Sequence, residues 1–245
     1  MQNTIAVILA AGKGKRLGSF YDNKVLILLR NKPLIKYAVE IFEKIAVPIF
    51  MVVGYGKTKV KKVINDRAFF VEQKEQMGTG HAVSCVMPVI NKKVLDIFVV
   101  MGDHAFAIKS GYLIKLHKLH KQTDAEVTLL TINTRRFKGY GRILRDKRGK
   151  IYEIVDGKHS MFASETEAEI TPGIYLFKTE FLQQLLPKLE KDNISQEYYL
   201  SDIINLAYKN HKKISAINID DQKLAIGINT ADDLKTMEVL WRNTK

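Results

Sequence analysis

Near the start of the chain, residues 9–17 (LAAGKGKRL) combine two glycines with three cations. Glycine allows backbone N–H groups to approach an anion closely, and lysine and arginine add positive charge. The Gly-Lys-Ser or Gly-Lys-Thr ending of a P-loop is absent, and Leu17 stands where the dinucleotide fingerprint needs its third glycine. These residues therefore predict a phosphate-binding turn of neither kind. The alternative is an ordinary glycine-rich loop between a strand and a helix.

A second group able to do chemistry is the carboxylate of Asp103, which follows the apolar run Asp96 to Met101. That run predicts a buried strand. Ligands of open α/β sheets bind beyond the carboxyl ends of the strands, so we expect Asp103 to lie near the phosphate-binding turn. Magnesium takes oxygen ligands and often needs only one or two carboxylates beside substrate phosphates, which makes Asp103 a candidate magnesium ligand. The alternative role for Asp103 is a helix N-cap.

Two further polar segments contain candidate ligand contacts. Lys24 stands in a polar patch before an apolar run, and the alternative for it is a solvated loop lysine. In residues 73–82 (QKEQMGTGHA) the glutamines carry both donors and acceptors, which suits the edge of a base. Gly78 and Gly80 free the backbone to approach a ring. His81 is predicted to begin a helix, where a structural role is as much expected as a functional one.

The elements that must position these groups alternate between strand and helix over the first hundred residues. Ile5 to Leu9 is predicted as a strand, and Pro33 suits the first position of a helix that ends at Lys44. This alternation predicts a mostly parallel sheet covered on both faces. From Gly139 onward the pattern changes to a β-hairpin around residues 146–149. The other predicted strands are Pro48–Val53, Ala68–Val71, Glu126–Thr131 and Ile214–Ile219, and the other predicted helices are Lys57–Ile64, Ser110–Lys121, Thr179–Glu190, Ser201–Lys209 and Ala231–Arg242.

The chain has 245 residues, of which 46% are hydrophobic, enough for the core of one α/β domain. No apolar run approaches the roughly 20 residues that span a bilayer, and the N-terminus lacks the pattern of a secretory signal. The single Cys85 excludes an intramolecular disulfide, fits a reducing interior and is predicted to be a buried packing residue. The formal net charge of +13 is spread along the chain without an RNA-binding or zinc motif, which favours anionic small substrates over nucleic acid. We expect a cytoplasmic protein that does not insert into membranes.

In its motifs the chain resembles the sugar-1-phosphate nucleotidylyltransferases, and among them most of all the uridylyltransferase domain of the bifunctional bacterial N-acetylglucosamine-1-phosphate uridylyltransferase/glucosamine-1-phosphate acetyltransferase. The matching blocks, in order, are LAAGKGKRL, NKVL, EQKEQMGTGHAV, MGD, GYGRI, QEYYLSDII and GIN. The first is shared by many nucleotidylyltransferases, whereas the GTGHAV, GYGRI and EYY blocks are much narrower.

The resemblance implies a Rossmann-like mixed, mostly parallel sheet with helices on both faces and a small hairpin-rich sugar-binding subregion, the nucleotide-diphospho-sugar transferase fold. It implies a single domain over residues 1–245. Within it, residues 1–135 are expected to form the nucleotide-binding part, 136–229 the sugar-binding part and 230–245 a C-terminal helix.

The resemblance also implies a role for each matching residue. The nucleotide is expected to lie along Leu9, Ala11, Gly12 and Gly14. The residues expected to act on the phosphates are Arg16 at the β- and γ-phosphates and Lys24 at the reacting end. A uracil ring is expected to be read by Gln73, Gln76 and Gly78, and the sugar to be contacted by Thr79, Gly141, Asp156 and Thr171. Mg²⁺ is expected to be held by Asp103 and Asn229.

The implied reaction is an in-line attack by a sugar 1-phosphate on the α-phosphorus of UTP, which forms a UDP-sugar and releases pyrophosphate. N-acetylglucosamine 1-phosphate or a related hexose phosphate is the expected acceptor. Two anions must meet, so magnesium, Arg16 and Lys24 are expected to stabilise charge on the reacting and leaving phosphates, with Asp103 as the third catalytic residue. The nucleophile is already an anion, so no general base is expected.

Five positions depart from the family pattern. Asp156 replaces a glutamate, Thr171 replaces an asparagine, and Pro172 replaces a threonine, all at the expected sugar site. Asn23 replaces the usual proline before Lys24, and Lys15 replaces a threonine, so both are expected to change how phosphate is bound. Nucleotidyl transfer is therefore better supported by the sequence than the identity of the sugar.

Other functions remain open from the sequence. The acceptor could be glucose 1-phosphate, or a phosphorylated small alcohol with CTP as the donor, since Gln73 can present either end of its amide to a pyrimidine. The chain could also be a sugar-nucleotide sensor without catalysis, although a sensor need not keep catalytic and metal residues. The sequence ends at Lys245, and the hexapeptide-repeat acetyltransferase domain does not follow. Acetyl transfer and the usual trimer are therefore not expected, and a monomer or dimer is.

Overall fold

The computed structural model describes residues 1–14, 23–135, 139–155, 167–228 and 230–242. One half of its ten-stranded sheet consists of four parallel strands, which are β1 (Thr4–Ala10), β4 (Ile49–Val53), β5 (Phe69–Glu72) and β6 (Asp96–Met101). Their spatial order is β5-β4-β1-β6. The short strands β2 (Leu28–Leu29) and β3 (Lys32–Pro33) form a separate antiparallel pair. The parallel pairing predicted for the first hundred residues is confirmed.

Antiparallel pairing dominates the other half of the sheet. Beyond β6 the order continues through β11 (Ile174–Lys178), β7 (Val127–Thr134), β10 (Ala168–Thr171), β8 (Gly141–Arg145) and β9 (Ile151–Val155). A last strand, β12 (Ile214–Asn218), lies parallel to the first part of β7. Strands β8 and β9 form the predicted hairpin, and the predicted mixed α/β sheet is confirmed.

Alternation along β1 distributes its side chains between two hydrophobic clusters. Ala6 and Ile8 pack on the face covered by α1 (Leu34–Lys44), α2 (Lys57–Ile64), α4 (Ser110–Thr123) and α7 (Ala231–Arg242). Ile5 and Val7 pack on the opposite face, against α3 (Thr79–Ser84), α5 (Thr179–Leu185) and α6 (Asp202–Lys209). A strand covered on both faces must be apolar at every position, which explains the uninterrupted run in the sequence. Among the described residues, no helix has the length and apolar character to cross a membrane.

The starts of two helices differ from the sequence predictions. Pro33 is the N-cap of α1 and not its first helical residue, since its backbone is extended and pairs with Leu28 in the short β2–β3 ladder. Helix α3 begins at Thr79 and not at His81, because Gly78 can adopt the positive φ of +96° that ends the preceding loop.

Two other predictions also need correction. The helix predicted to run from Thr179 to Glu190 is α-helical only to Leu185 and continues as a short 3-10 helix, Leu186–Lys188. Pro187 lacks the N–H that an α-helix interior requires. Cys85 is only partly buried, although this burial still raises the pKa of its thiol.

Strand order places the two main chemical features next to each other. Strands β1 and β6 are neighbours, Leu9 pairs with Met101, and the Gly102 N–H donates to the Leu9 carbonyl at 3.0 Å. The glycine-rich turn that follows β1 and Asp103, which follows β6, therefore leave the sheet side by side at its carboxyl edge, where α/β sheets bind ligands.

Candidate active site

A cavity of about 840 Å³ opens at the carboxyl ends of β1 and β6. Its lining comes from segments that are far apart in sequence and includes ten of the predicted contact residues. They are Leu9, Ala11, Gly12, Gly14, Lys24, Gln73, Gln76, Gly78, Thr79 and Asp103. The structure thus brings the predicted phosphate, base and metal groups into one space. Arg16, Asp156 and Asn229 lie outside the described residues.

An ion pair lies within this cavity. Lys24 Nζ donates a hydrogen bond to Asp103 Oδ2. The two side chains are only 11% and 23% exposed, so water screens their attraction weakly. Burial by itself raises the pKa of the Asp103 carboxyl, but the Lys24 ammonium and His104 outweigh it and hold that pKa far below its usual value. Asp103 is therefore a carboxylate at neutral pH, and one of its oxygens already contacts the Lys24 ammonium.

Asn23 is fully buried and anchors the backbone ahead of Lys24. Its Nδ2 donates to the carbonyls of Ala10 at 2.9 Å and Tyr55 at 2.7 Å. Its Oδ1 accepts from the Val25 N–H at 3.1 Å. One side chain thus ties this backbone to residues at the ends of β1 and β4, which gives Lys24 a defined position in the cavity.

Asn23→Ala is expected to lower the free energy of unfolding by about 2–4 kcal/mol, because buried backbone groups left unpaired cost about 1–3 kcal/mol each. Urea unfolding followed by circular dichroism measures the change. Asn91→Ala is the matched control, since Asn91 Oδ1 also accepts an N–H two residues on, from Lys93 at 2.8 Å, but at the exposed surface. Equal losses in the two variants would show that Asn23 is no anchor.

Gln73 is almost completely buried, and its amide is oriented by neighbours in the protein. Its Nε2 lies 3.0 Å from the Gly78 carbonyl and 3.0 Å from His81 Nδ1. Both N–H groups of the amide are thereby directed into the protein, and the carbonyl Oε1 is left to accept from a ligand. His81 therefore has a positioning function, a contact that the sequence did not predict.

The segment around Gly78 is joined to the EYY block of the sequence. A Cβ on Gly78 would lie 2.5 Å from the carbonyl oxygen of Tyr198, so this approach requires glycine. The Gly80 N–H donates to the same carbonyl at 2.8 Å, and the Leu200 N–H donates to Thr79 Oγ1 at 2.9 Å. The Thr79 hydroxyl thus has a structural partner even though the residue lines the cavity.

Three polar residues of the cavity wall were not among the predicted contacts. Glu197 and Lys13 both line the cavity, and so does Asn23. Each lies inside or next to a matching block, so adjacency to a motif was the available signal. Lys13 extends the positive charge of the turn, whereas Glu197 is a second carboxylate in the lining of the cavity.

Gly141 and Thr171, expected to contact the sugar, lie together but do not line this cavity. They are paired across β8 and β10. Thr171 is buried, and its Oγ1 accepts from the Gly173 N–H at 3.2 Å within the turn between β10 and β11. Gly173 packs against Met101, which does line the cavity. Of the predicted sugar contacts in the described residues, Thr79 lines the cavity, whereas Thr171 lies two residues from Gly173, which packs against the Met101 wall.

The donor set of the cavity fits magnesium better than a metal held by protein alone. In the part of the chain that the structure describes, no three His, Cys, Asp or Glu side chains are grouped to hold a metal ion. Structural zinc sites need four protein ligands, whereas magnesium binds through one or two carboxylates together with phosphates and water. Asp103, ionised and already paired with a cation, suits such a shared site.

Comparison with known proteins gives matches over nearly the whole chain. A family model described as nucleotidyl transferase matches residues 5–243. The bifunctional protein GlmU of Carboxydothermus hydrogenoformans is 38% identical over 224 residues, which are 91% of this chain and 49% of that protein. The GlmU of Caldicellulosiruptor saccharolyticus is 37% identical over 235 residues, 95% of this chain and 50% of that protein. The chain spans about half the length of the curated relatives it matches.

Among solved structures, a candidate glucose-1-phosphate thymidylyltransferase from Bacillus anthracis, crystallised with sucrose, has a TM-score of 0.77 to this chain. The match covers 99% of this chain and 96% of that one, at 19% identity. At this identity the likeness shows the fold alone, and it confirms the predicted fold class.

Proposed function

The chain belongs to the nucleotidyl transferase family, as its sequence blocks predicted, and on this premise we propose that it forms a UDP-sugar and pyrophosphate from UTP and a sugar 1-phosphate. The observation that carries the proposal is one cavity in which the glycine-rich turn, the Lys24–Asp103 ion pair and Gln73 lie together. A turn for phosphates, a charge pair at the reacting end and an oriented amide for a base are the parts that this reaction needs.

In this proposal Lys24 acts at the reacting phosphates. Its ammonium is mostly shielded from water, so moving it from the Asp103 carboxylate to a phosphate exchanges one anionic partner for another. Backbone N–H groups of Gly12 and Gly14 would hold the triphosphate in line with the incoming sugar phosphate. Arg16 is proposed to bind the leaving β- and γ-phosphates. No side chain needs to remove a proton, because the attacking phosphate oxygen is already an anion.

Asp103 and Asn229 are the residues that we propose hold Mg²⁺. Magnesium, when bound, supplies positive charge that offsets the repulsion between the two substrates and stabilises the negative charge of the leaving pyrophosphate. Asp103 contributes an ionised oxygen at the edge of the sheet where the phosphates would lie. The role of the protein is to present this oxygen in a defined direction beside Lys24.

We expect UTP to be used with a kcat/KM about 100-fold above that of CTP, because a buried polar group left unpaired is strongly disfavoured. The Gln73 carbonyl is free to accept the N3–H of uracil, whereas cytosine presents an unprotonated N3 at the same place. Initial rates of pyrophosphate release with each nucleotide measure the ratio. A ratio near one would remove Gln73 as the base reader.

His81→Phe tests the orientation of this amide. The variant removes the Nδ1 acceptor and leaves Gln73 with the Gly78 carbonyl as its partner. We therefore expect the UTP-to-CTP ratio to fall, because the amide can then turn its N–H groups toward the base. His211→Phe is the matched control, since His211 lies on the exposed surface at the end of α6.

The acceptor is proposed to be N-acetylglucosamine 1-phosphate or a related hexose phosphate, bound by residues of the 136–229 part. Gly173, two residues after Thr171, packs against Met101 in the cavity wall, which supports a sugar site on that side. Thr171 has its hydroxyl committed to the Gly173 N–H, so it offers a ligand less than the asparagine of the family would. A related sugar is therefore as consistent with this wall as N-acetylglucosamine.

Pyrophosphate release with a panel of acceptors tests the proposal. The panel contains N-acetylglucosamine 1-phosphate, glucose 1-phosphate and a phosphorylated small alcohol, each with UTP and with CTP. Absence of turnover with every pair would overturn it. Calorimetric binding of UTP and UDP-sugar without turnover would instead favour a sugar-nucleotide sensor.

A further inference from the structure

A row of hydrogen bonds runs from Asp103 to two segments outside its own loop. His104 Nδ1 lies 3.1 Å from Asp103 Oδ1, and His104 Nε2 lies 3.2 Å from the Tyr140 hydroxyl. The Tyr140 oxygen accepts a hydrogen bond from the backbone N–H of Gly227. The row thus connects the loop after β6 with the residue before β8 and with the segment that leads to Asn229.

When the imidazole is neutral, each hydrogen bond in this row is donated in the same direction, toward the Asp103 carboxylate. The Asp103 carboxylate can only accept, so the ring proton is on Nδ1 and faces Oδ1. In the neutral ring Nε2 is then an acceptor, and the Tyr140 hydroxyl, whose oxygen also accepts from the Gly227 N–H, donates to it. Each group donates to the next toward the carboxylate, and such chains strengthen one another where water is excluded.

The surroundings of the His104 ring leave it little freedom. The rings of His104 and Tyr140 meet edge to face, with centroids 5.5 Å apart and planes at 78°. A Cβ at Gly227 would overlap the imidazole, so this backbone can approach the ring only because it carries glycine. The orientation of the ring is therefore set by packing as well as by its hydrogen bonds.

We propose that His104 and Tyr140 are positioning residues that fix Oδ1 of Asp103 and leave Oδ2 for exchange between Lys24 and a bound cation. The inference rests on the proposed function, in which Asp103 is a magnesium ligand. Oδ1 accepts from His104, whereas Oδ2 accepts from the ammonium of Lys24. When Lys24 moves to a substrate phosphate, Oδ2 becomes available, and the bond at Oδ1 keeps the carboxylate from rotating.

The same row links the metal ligand to the sugar side. Tyr140 immediately precedes Gly141, an expected sugar contact, and Gly227 lies two residues before Asn229, the second expected metal ligand. A displacement of either segment would move the Tyr140 hydroxyl and, through its hydrogen bond, the His104 ring. Loss of that hydroxyl should therefore affect cation binding and sugar binding together.

Mn²⁺ binding to the nucleotide-free chain, measured by electron paramagnetic resonance, tests this proposal, since Mn²⁺ takes the same oxygen ligands as Mg²⁺. Tyr140→Phe keeps the ring and removes the hydroxyl. We expect its Mn²⁺ dissociation constant to rise about tenfold, the usual scale for a lost partner of a metal ligand. The KM for the sugar phosphate is expected to rise as well, with a smaller change in kcat.

Two substitutions at His104 separate positioning from packing. His104→Asn can place an N–H near the position of Nδ1, so its Mn²⁺ affinity should stay close to that of the wild type. His104→Leu has no donor and should lose about tenfold. Tyr37→Phe is the matched control, since it removes a tyrosine hydroxyl bond, to the Leu29 carbonyl at 2.8 Å, outside the cavity.

The inference would be overturned if Tyr140→Phe and His104→Leu both bound Mn²⁺ as tightly as the wild type and only their melting temperatures were lower. The hydrogen bonds of the row would then contribute to stability alone. Failure of the proposed function has a different signature. In that case the wild-type chain releases no pyrophosphate with any acceptor, while the Mn²⁺ affinities of the variants still follow the predicted order.

Discussion

Asp103→Asn is expected to lower kcat by about a thousandfold or more, because it removes the charge that binds magnesium and leaves the developing phosphate charge uncompensated. The substitution keeps the shape of the side chain and the contact of Oδ1 with His104. It also removes the anionic partner of Lys24, whose ammonium stays largely buried. This loss should lower the free energy of unfolding, but the variant should still fold and fail in catalysis.

The measurement is single-turnover formation of UDP-sugar together with Mn²⁺ binding to the same preparations. Both should be lost in Asp103→Asn, and neither in Asp66→Asn, a matched exchange at an exposed carboxylate. Circular dichroism and urea unfolding establish that the variants are folded. A rate within about tenfold of the wild type would remove Asp103 from the metal site, since a lost electrostatic contact at a reacting centre costs about 100- to 1,000-fold.

Lys24→Met is expected to produce opposite effects on catalysis and on cation binding. The kcat/KM should fall by about 100-fold, because a buried ammonium at the reacting phosphates is lost. Mn²⁺ binding without nucleotide should become tighter, because Asp103 Oδ2 no longer has Lys24 as a competing cation. These opposite signs distinguish a direct role of Lys24 from a general disturbance of the site.

Lys57→Met is the control for this substitution. Lys57 also forms an ion pair with a carboxylate, to Glu72 at 2.7 Å, but at the solvent-exposed surface. Neither kcat/KM nor Mn²⁺ affinity should change in it, since exposed ion pairs contribute little. Weaker Mn²⁺ binding in Lys24→Met than in the wild type would contradict the competition between the lysine and the cation for Oδ2.

Local structure was largely predictable from sequence periodicity. The helices Lys57–Ile64 and Ala231–Arg242 and the strand Asp96–Met101 have the bounds that the pattern indicated. In these segments the apolar period, the flanking residues and the burial all agree, so local preference and tertiary packing select the same conformation. The errors fall where one residue alters the backbone, as at Pro33 and Pro187.

The order of strands in the second half of the sheet was not predictable in the same way. Strand β11 lies between β6 and β7, and β10 lies beyond β7, so two strands adjacent in sequence are separated in space. Such pairing depends on contacts between residues far apart in the chain, and local hydrophobic periodicity carries no information about them. Without it, the sequence could not show that Gly141 and Thr171 pair across β8 and β10, outside the main cavity.

By itself, the sequence determined which groups could do chemistry and on which kind of element each would lie. The type of a residue sets its charge and its donors and acceptors, and periodicity sets its local structure, so the glycine-rich turn and Asp103 were recognisable as candidate functional groups. Only the tertiary structure decided which atoms of each group are paired within the protein. Gln73 turns its N–H groups inward because Gly78 and His81 accept them, and Asp103 has one oxygen held by His104 and the other paired with Lys24. The physical reason is that a polar side chain takes its orientation from its partners, and folding supplies those partners from distant parts of the chain.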